Sequence, residues 1–570
     1  MNDAGEGRSG VGIYCMKLNN GAGMTEILSG SSNVTEIDAV VIGAGFGGLR
    51  MLYELRKLNV QAVALEAATD VGGTWHWNRY PGARTDSESW VYCFSFSEEL
   101  QQEWNWKDRY PSQPEMKAYL SHVADRFDLR RDIRFQTRVS SARYDDATGL
   151  WSIETEAGER FVCRYFIPAT GPISKPIMPT FPGLDSFAGE TYLTARWPDH
   201  PVSFAGKRVA VIGTGSTGIQ VVPEVAKDAS QVIVFQRTAN FALPGRNRAL
   251  TDEERQAIKD RYPEIWAQTQ RQISGFAIPE TREMFGDLSE AERQERLSSA
   301  YERGGFEFLF TAFRDMLVQE EANEAAAEFL RAHIRRTVKD PETAELLCPK
   351  GYPFGARRPA VEHGYFEAFN RPNVKLVDIS RDPIKKITPT GLQTDNASYE
   401  FDMLIFATGF DAGAGAMLAM DITGRKGVSL SEKWSDGPRT YLGIMVDEFP
   451  NMFMVSGPQT PFGNIPVMIE NEVRWIGAAI AYCERVAAVS LEPAPEMVDG
   501  WVDEVWANLN ATLLREAGSA GSWYLGLNVE GRPPAPVFFH GKASKYFSRL
   551  EEIVQAEFAD FSCLTMGAAA

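Results

Sequence analysis

Residues Ile37 to Gly48 read Ile-Asp-Ala-Val-Val-Ile-Gly-Ala-Gly-Phe-Gly-Gly, an apolar run that ends in G-x-G-x-x-G. That combination leaves the chain little freedom: it predicts a strand buried on both faces that turns sharply into a helix. Gly43 permits the tight turn, Gly45 lets a pyrophosphate approach the backbone, and Gly48 lets helix pack on strand. The helix N-terminus offers free N–H groups and partial positive charge to phosphates. Val60 to Leu65 predicts the next strand. Glu66 ends it, a carboxylate where a dinucleotide's ribose hydroxyl belongs.

The signal occurs twice. Val209 to Ile212 is a second apolar run, followed by Gly213-Thr214-Gly215-Ser216-Thr217-Gly218. The strand after it, Val232 to Phe235, ends in Gln236-Arg237-Thr238, so an arginine stands where the first unit has Glu66. An acid bonds the ribose 2′-hydroxyl, whereas an arginine accommodates a 2′-phosphate. The first site is therefore expected to take FAD or NAD and the second NADP. A further repeat supports two units. Val139–Tyr144, Leu150–Glu154 and Phe161–Ile167 are three predicted strands running into Ala169-Thr170-Gly171. Pro383–Thr388, Gly391–Thr394 and Tyr399–Phe406 run likewise into Ala407-Thr408-Gly409.

The expected class is thus α/β, with two dinucleotide-binding (Rossmann-like) domains and an inserted helical region. The spans are a tail at 1–33, the first domain at 34–172 and 396–560, the second at 173–249 and 347–395, helices at 250–346, and a tail at 561–570. Within the first domain Ser112–Phe127 predicts a helix, and Trp475–Ala487 predicts a core helix rather than a membrane span. With 570 residues the chain can bury two or three cores. Its net charge of -18 disfavours nucleic acid and anionic membrane as partners, so an anionic cofactor must meet local arginines. Six scattered cysteines without C-x-x-C point to a reducing, cytoplasmic setting and offer neither a metal site nor a redox dithiol.

The densest stretch lies between the first unit's strands. Gly72-Gly73-Thr74-Trp75, Tyr80-Pro81-Gly82 and Asp86 form one aromatic loop without helical or strand period, suited to a wall against a planar ring system. These residues match G-G-x-W-x-x-x-x-Y-P-G-x-x-x-D at every fixed position. Phe187, Gly189, Trp197 and Pro198 match F-x-G-x-x-x-H-x-x-x-W-P, with Leu193 in place of the histidine. From roughly residue 35 to 545 the chain resembles the flavin-dependent Baeyer–Villiger monooxygenases.

The resemblance implies an FAD enzyme reduced by NADPH that uses O2, by way of a C4a-peroxyflavin, to turn a ketone into an ester or lactone. In Arg357-Arg358, upstream of Phe369-Asn370-Arg371, it implies Arg358 as the catalytic arginine, with Asp86 holding it. Arg357 would join Arg237 on the 2′-phosphate, and Trp523 would close over NADP. The cofactor-binding candidates are Gly43, Gly45, Phe46, Gly48, Glu66, Thr74, Trp75, Arg84, Thr85, Asp86, Tyr92 and Val139. To these are added Gly213, Thr214, Gly215, Ser216, Thr217, Gly218, Arg237, Thr238, Arg357 and Trp523. Sulfur or nitrogen oxidation on the same scaffold, or an uncoupled NADPH oxidase suggested by Leu193, remain open alternatives. The small residues Ala412 to Ala416 suggest room for a bulky or cyclic ketone beside Phe410-Asp411, Val455–Met468 and Trp523. A monomer or weak homo-oligomer is expected.

Overall fold

The computed structural model describes residues 34–565. The tail expected over 1–33 lies outside them, as does Cys15. The first parallel sheet has the order Ile133–Arg134, Ala62–Leu65, Ala39–Ile42, Tyr165–Pro168. The second has the order Val374–Asp378, Gln231–Gln236, Arg208–Ile212, Met403–Phe406, Glu190–Leu193 and is also parallel throughout. Both central strands are apolar because helices and other sheets cover both faces. Each is followed by the predicted helix, Phe46–Lys57 and Ser216–Val225.

The two repeats agree in register. Ile42 lies beside Pro168 in the first sheet and Ile212 beside Phe406 in the second. In both, however, the expected third strand is two strands in different sheets. Arg160–Cys163 pairs with an antiparallel partner, and after Arg164 the chain switches to the parallel sheet. Ser398–Glu400 does the same before Asp402. The charged residue at each switch anchors the new alignment. Arg164 donates its N–H to Asp38 O, and the Asp402 carboxylate accepts the Arg208 N–H and guanidinium. Met403–Phe406 thus pairs within the second sheet, although the second domain was expected to end at 395. The C-terminal tail expected from 561 instead begins with a strand, Ser562–Thr565, antiparallel to Ala488–Glu492.

The inserted helices do not form a separate body. Tyr262 and Ile265 join the core of the first unit, and Ile334 and Val338 that of the second. Leu297, Phe306, Phe313 and Leu330 build a third core with Phe241 and Phe354. The long helix Ile465–Arg485 returns to lie against Phe46–Lys57. Between them Arg50 is buried, donating to Glu470 at 2.9 Å and Glu54 at 2.8 Å. Burial pulls that guanidinium down, but the two carboxylates outweigh it and hold it above its ordinary value. Glu470 also accepts the N–H groups of Ser95 and Phe96, so this buried pair is fully partnered.

The two segments that join the units run side by side. Ile177 N–H donates to Gly409 O (3.0 Å), Thr408 Oγ1 to Ile177 O (2.7 Å) and Asp411 N–H to Lys175 O (2.9 Å). Leu193 sits at the end of an edge strand opposite Phe406 and packs against the apolar core around Phe235 and Leu404, so its side chain is absorbed by the second unit.

Candidate active site

The two glycine turns are built alike. Gly43 has φ +104° and Gly213 φ +115°, and a Cβ on them would lie 2.8 and 2.4 Å from the carbonyl oxygens of Ala169 and Ala407. On Gly48 and Gly218 a Cβ would fall 1.9 and 2.1 Å from the oxygens of Gly43 and Gly213, so the absent side chain is what lets helix meet strand. The middle glycines differ. A Cβ on Gly45 would approach Gly73 Cα at 3.3 Å, whereas one on Gly215 meets no protein atom within 4 Å. Gly215 therefore lies in a cradle with room for a phosphate, at a helix start where Ser216 and Thr217 present free N–H groups.

Around the first turn Glu66 is buried and accepts the N–H groups of Ala44 and Ala68, both at 2.7 Å. Burial raises its carboxyl above the ordinary value, and those two bonds oppose the rise. Thr74 opens a short helix, Thr74–Trp77, and Trp75 Nε1 is buried without a partner. Trp75 meets Tyr92 edge-on at 5.8 Å, and Phe46 meets Tyr92 at 5.4 Å. A planar ring system and pyrophosphate fit this orphaned donor, aromatic wall and glycine turn. Val139 turns its side chain into the core beneath the sheet, leaving only its backbone for a ligand.

The aromatic loop is not one wall. Its Gly72–Trp75 half faces the first glycine turn, but Tyr80 and Ala83 belong to the core of the second unit. Tyr80 OH donates to Gln220 Oε1 at 2.7 Å, and Gln220 Nε2 donates to Arg84 O at 3.1 Å. Thr85 is buried and spends its hydroxyl on Ser87 O, whereas the Arg84 guanidinium has no carboxylate partner among the described residues. Burial and the charge of Arg84 hold the nearby His363 imidazole down to about 4.

At the loop's end Asp86 Oδ2 accepts from Arg358 Nε at 3.0 Å and from a terminal nitrogen at 2.6 Å. The guanidinium lies between the Phe306 and Phe462 rings, 5.0 and 5.1 Å from their centres. Burial pulls it down, yet Asp86 holds it above its ordinary value, so it is a permanent cation in an apolar slot. Tyr524 and Tyr92 lie beside it, and burial pushes both phenols well up, so both remain donors at neutral pH.

On the second unit Thr214 Oγ1 donates to Thr238 O, tying the glycine turn to the strand end. Arg237 is exposed, and neither it nor Arg357 has a carboxylate partner among the described residues. Tyr352 OH donates to Ala239 O, and Asn240 to Arg358 O, which brings the 352–358 and 237–240 loops to one edge. Two unpaired guanidiniums there fit a dianionic phosphate. Trp523 meets Phe462 at 5.9 Å, and its loop is clamped through Arg532 to Asp411 and through Asn528 to Phe410 O.

Sequence reasoning missed Phe306 and Gln220, which reach the site from two distant segments, while Tyr524 lay in the loop expected to close over NADP through Trp523. Phe462 lay inside the expected Val455–Met468 wall. The room expected at Ala412 to Ala416 is absent: a Cβ on Gly413 would strike Val537 at 2.0 Å, and Ala414 is in the core.

A family description, flavin-binding monooxygenase-like, matches residues 37–249. The chain is 40% identical over 530 residues to a phenazine N-monooxygenase of Lysobacter antibioticus, covering 92% of this chain and 97% of that protein. It is 41% identical over 523 residues to a Baeyer–Villiger monooxygenase of Pseudooceanicola batsensis, covering 91% and 94%. The crystal structure of cyclohexanone monooxygenase from Rhodococcus sp. Phi1 bound to NADP+ is similar with a TM-score of 0.91 at 42% identity, covering 93% of this chain and 99% of that one.

Proposed function

This chain belongs to the flavin-dependent Baeyer–Villiger monooxygenases, and from that premise we propose that Arg358, held by Asp86, is the catalytic centre of a ketone oxygenation. Its cofactors are FAD and NADPH. The overall reaction takes a ketone, O2, NADPH and a proton to an ester or lactone, NADP+ and water. Bound FAD, once reduced by NADPH, supplies the activated oxygen.

The chain's own residues do the rest. Arg358 stabilises negative charge that develops on oxygen at the reacting centre, and it does so from a fixed position in a low-dielectric slot. Asp86 orients the guanidinium through both of its bonds and keeps it charged. Tyr524 stands as a neutral hydrogen-bond donor on the same side. Phe306 and Phe462 cover the guanidinium, with Trp523 against Phe462, so that it is only partly open to water. Glu66, the Gly43–Gly48 turn and Trp75 hold the flavin dinucleotide, while Gly213–Gly218, Arg237 and Arg357 hold NADP through its phosphates. The site works in a reducing cytoplasm, where the buried free thiols Cys93, Cys163, Cys348 and Cys483 persist. Among the described residues no helix is long and apolar enough to cross a membrane.

The Asp86–Arg358 pair carries this reading. Arg358→Ala is expected to leave anaerobic bleaching of the flavin by NADPH intact and to lower ester formation by at least ~10²-fold. Ester formation at the parent rate overturns it. A second reading, oxidation at nitrogen, is favoured by the phenazine N-monooxygenase relative. Mass spectrometry of products from a cyclic ketone and an aromatic N-heterocycle, offered in parallel, separates the two.

A further inference from the structure

The helix Ser216–Val225 starts at the second glycine turn, where the pyrophosphate of NADP would rest. One turn further along, Gln220 reaches toward the first unit. Both ends of its amide are used there. Its oxygen accepts from Tyr80 OH (2.7 Å), and its nitrogen donates to Arg84 O (3.1 Å). Burial pushes the Tyr80 phenol up to about 12, so it is a donor across the physiological range. The helix backbone presses on the same loop. A Cβ on Gly82, at φ +84°, would come 2.4 Å from Gln220 O, so only glycine fits at this position.

Arg84 is two residues from Asp86. The intervening Thr85 is fixed to the first unit, its N–H donating to Pro111 O (3.1 Å), and Ala83 O accepts from Gln113 N–H (2.8 Å). The strap 80–86 is therefore held on one side by the first unit and on the other by the second, where Tyr80 and Ala83 pack in the core and Gln220 supplies hydrogen bonds to Tyr80 and Arg84. Its far end carries the carboxylate that aims Arg358.

We infer that Gln220 is a positioning residue that transmits occupancy of the second dinucleotide site to the Asp86–Arg358 pair. A ligand that seats phosphates on the first turn of the helix fixes that helix, and through Gln220 it fixes the strap and the carboxylate. This connection runs through the two hydrogen bonds of Gln220 and then along the backbone from Arg84 through Thr85 to Asp86, whose carboxylate holds Arg358. It rests on the reading that the second site holds NADP. It also places interdomain hydrogen bonding in a chain whose position 193 has none to offer.

The test is hydrogen exchange on the flavin-loaded enzyme with and without saturating NADP+, followed at residues 213–225 and 80–91. In the parent protein NADP+ is expected to slow exchange in both segments, by about five-fold in the strap, the lower end of ordinary coupling. Gln220→Leu, close in shape and unable to hydrogen-bond, is expected to keep protection at 213–225 and lose it at 80–91. Hydrogen peroxide released per NADPH in the presence of ketone is expected to rise with it. Tyr80→Phe removes one of the two bonds and is expected to give an intermediate loss of strap protection, which stands as the test if the leucine variant does not fold. Strap protection that survives in both variants overturns the link, and so does loss of protection at 213–225 in Gln220→Leu, which would make Gln220 a cofactor ligand. Absence of protection at 213–225 in the parent protein overturns the NADP assignment and the link together.

Discussion

The two glycine turns make the same close contacts at their first and last glycines, yet they are finished in opposite ways. In the first, Gly45 is faced by Gly73 of the chain's own loop, and the ribose-side residue Glu66 is buried and bonded to two backbone N–H groups. In the second, Gly215 faces open space and Arg237 is exposed without a carboxylate. The first, enclosed by the chain's own loop, suits a resident cofactor. The second suits a cofactor that arrives, reacts and leaves. One fold thus yields retention or exchange according to what is laid over the turn.

That contrast can be broken most directly at Glu66. Replacing it by alanine strands two buried N–H groups, costing about 1–3 kcal/mol each. Glu66→Ala is expected to be purified with little flavin and a lowered Tm. Full flavin absorbance per chain would show that the enclosure is not what retains the cofactor. At the exchanging site Arg237→Ala is expected to raise KM for NADPH about 10- to 100-fold, as for loss of a charge-assisted bond, and to leave flavin content unchanged. An equal rise in KM for NADH would remove the 2′-phosphate from the explanation.

A second buried glutamate sharpens the meaning of Glu66. Glu472 accepts only one backbone bond, from Ser456 N–H at 2.7 Å, and its other oxygen has no partner. Burial raises its carboxyl to about 8, opposed only by that one bond. A raised carboxyl pKa means that the folded state holds the proton longer than the unfolded chain. Stability from this group is full below the unfolded value near 4.5 and declines as pH rises to about 8, by ~1.4 kcal/mol per pH unit at most. Glu472→Gln is expected to flatten the dependence of Tm on pH over that window, and an unchanged slope would refute the assignment. The smallest effect is expected at the middle glycines. Gly215→Ala should leave Tm unchanged while weakening NADPH binding, whereas Gly45→Ala must displace Gly73 and should lower Tm by an amount equivalent to about 1 kcal/mol.

Much of this was legible in the order of residues. Apolar runs, glycine spacing and the Ala-Thr-Gly exits are local signals, and they located both turns and the ends of the following strands at Glu66 and Arg237. Asp86 and Arg358 were paired only through the resemblance, because their contact spans 272 positions and leaves no local period. The strand switches at Arg164 and Asp402 were missed since a continuous apolar run looks the same whether it serves one sheet or two. Phe306 was hidden because helical charge spacing in the insertion read as a solvated face, while one of its rings covers the guanidinium. The small residues at 412–416 signalled space, but small side chains serve equally for close packing, and that is how this segment uses them.

The paired joining segments have a mechanical consequence. A lone tether would let one half of the molecule wander through a cone of orientations. Two strands zipped at Ile177–Gly409 and Lys175–Asp411 behave as a ribbon, stiff to separation and soft to twist. Such a ribbon resists separation of the two halves more than it resists a turn about its own length, which would favour rotation of one glycine turn relative to the other over their drifting apart.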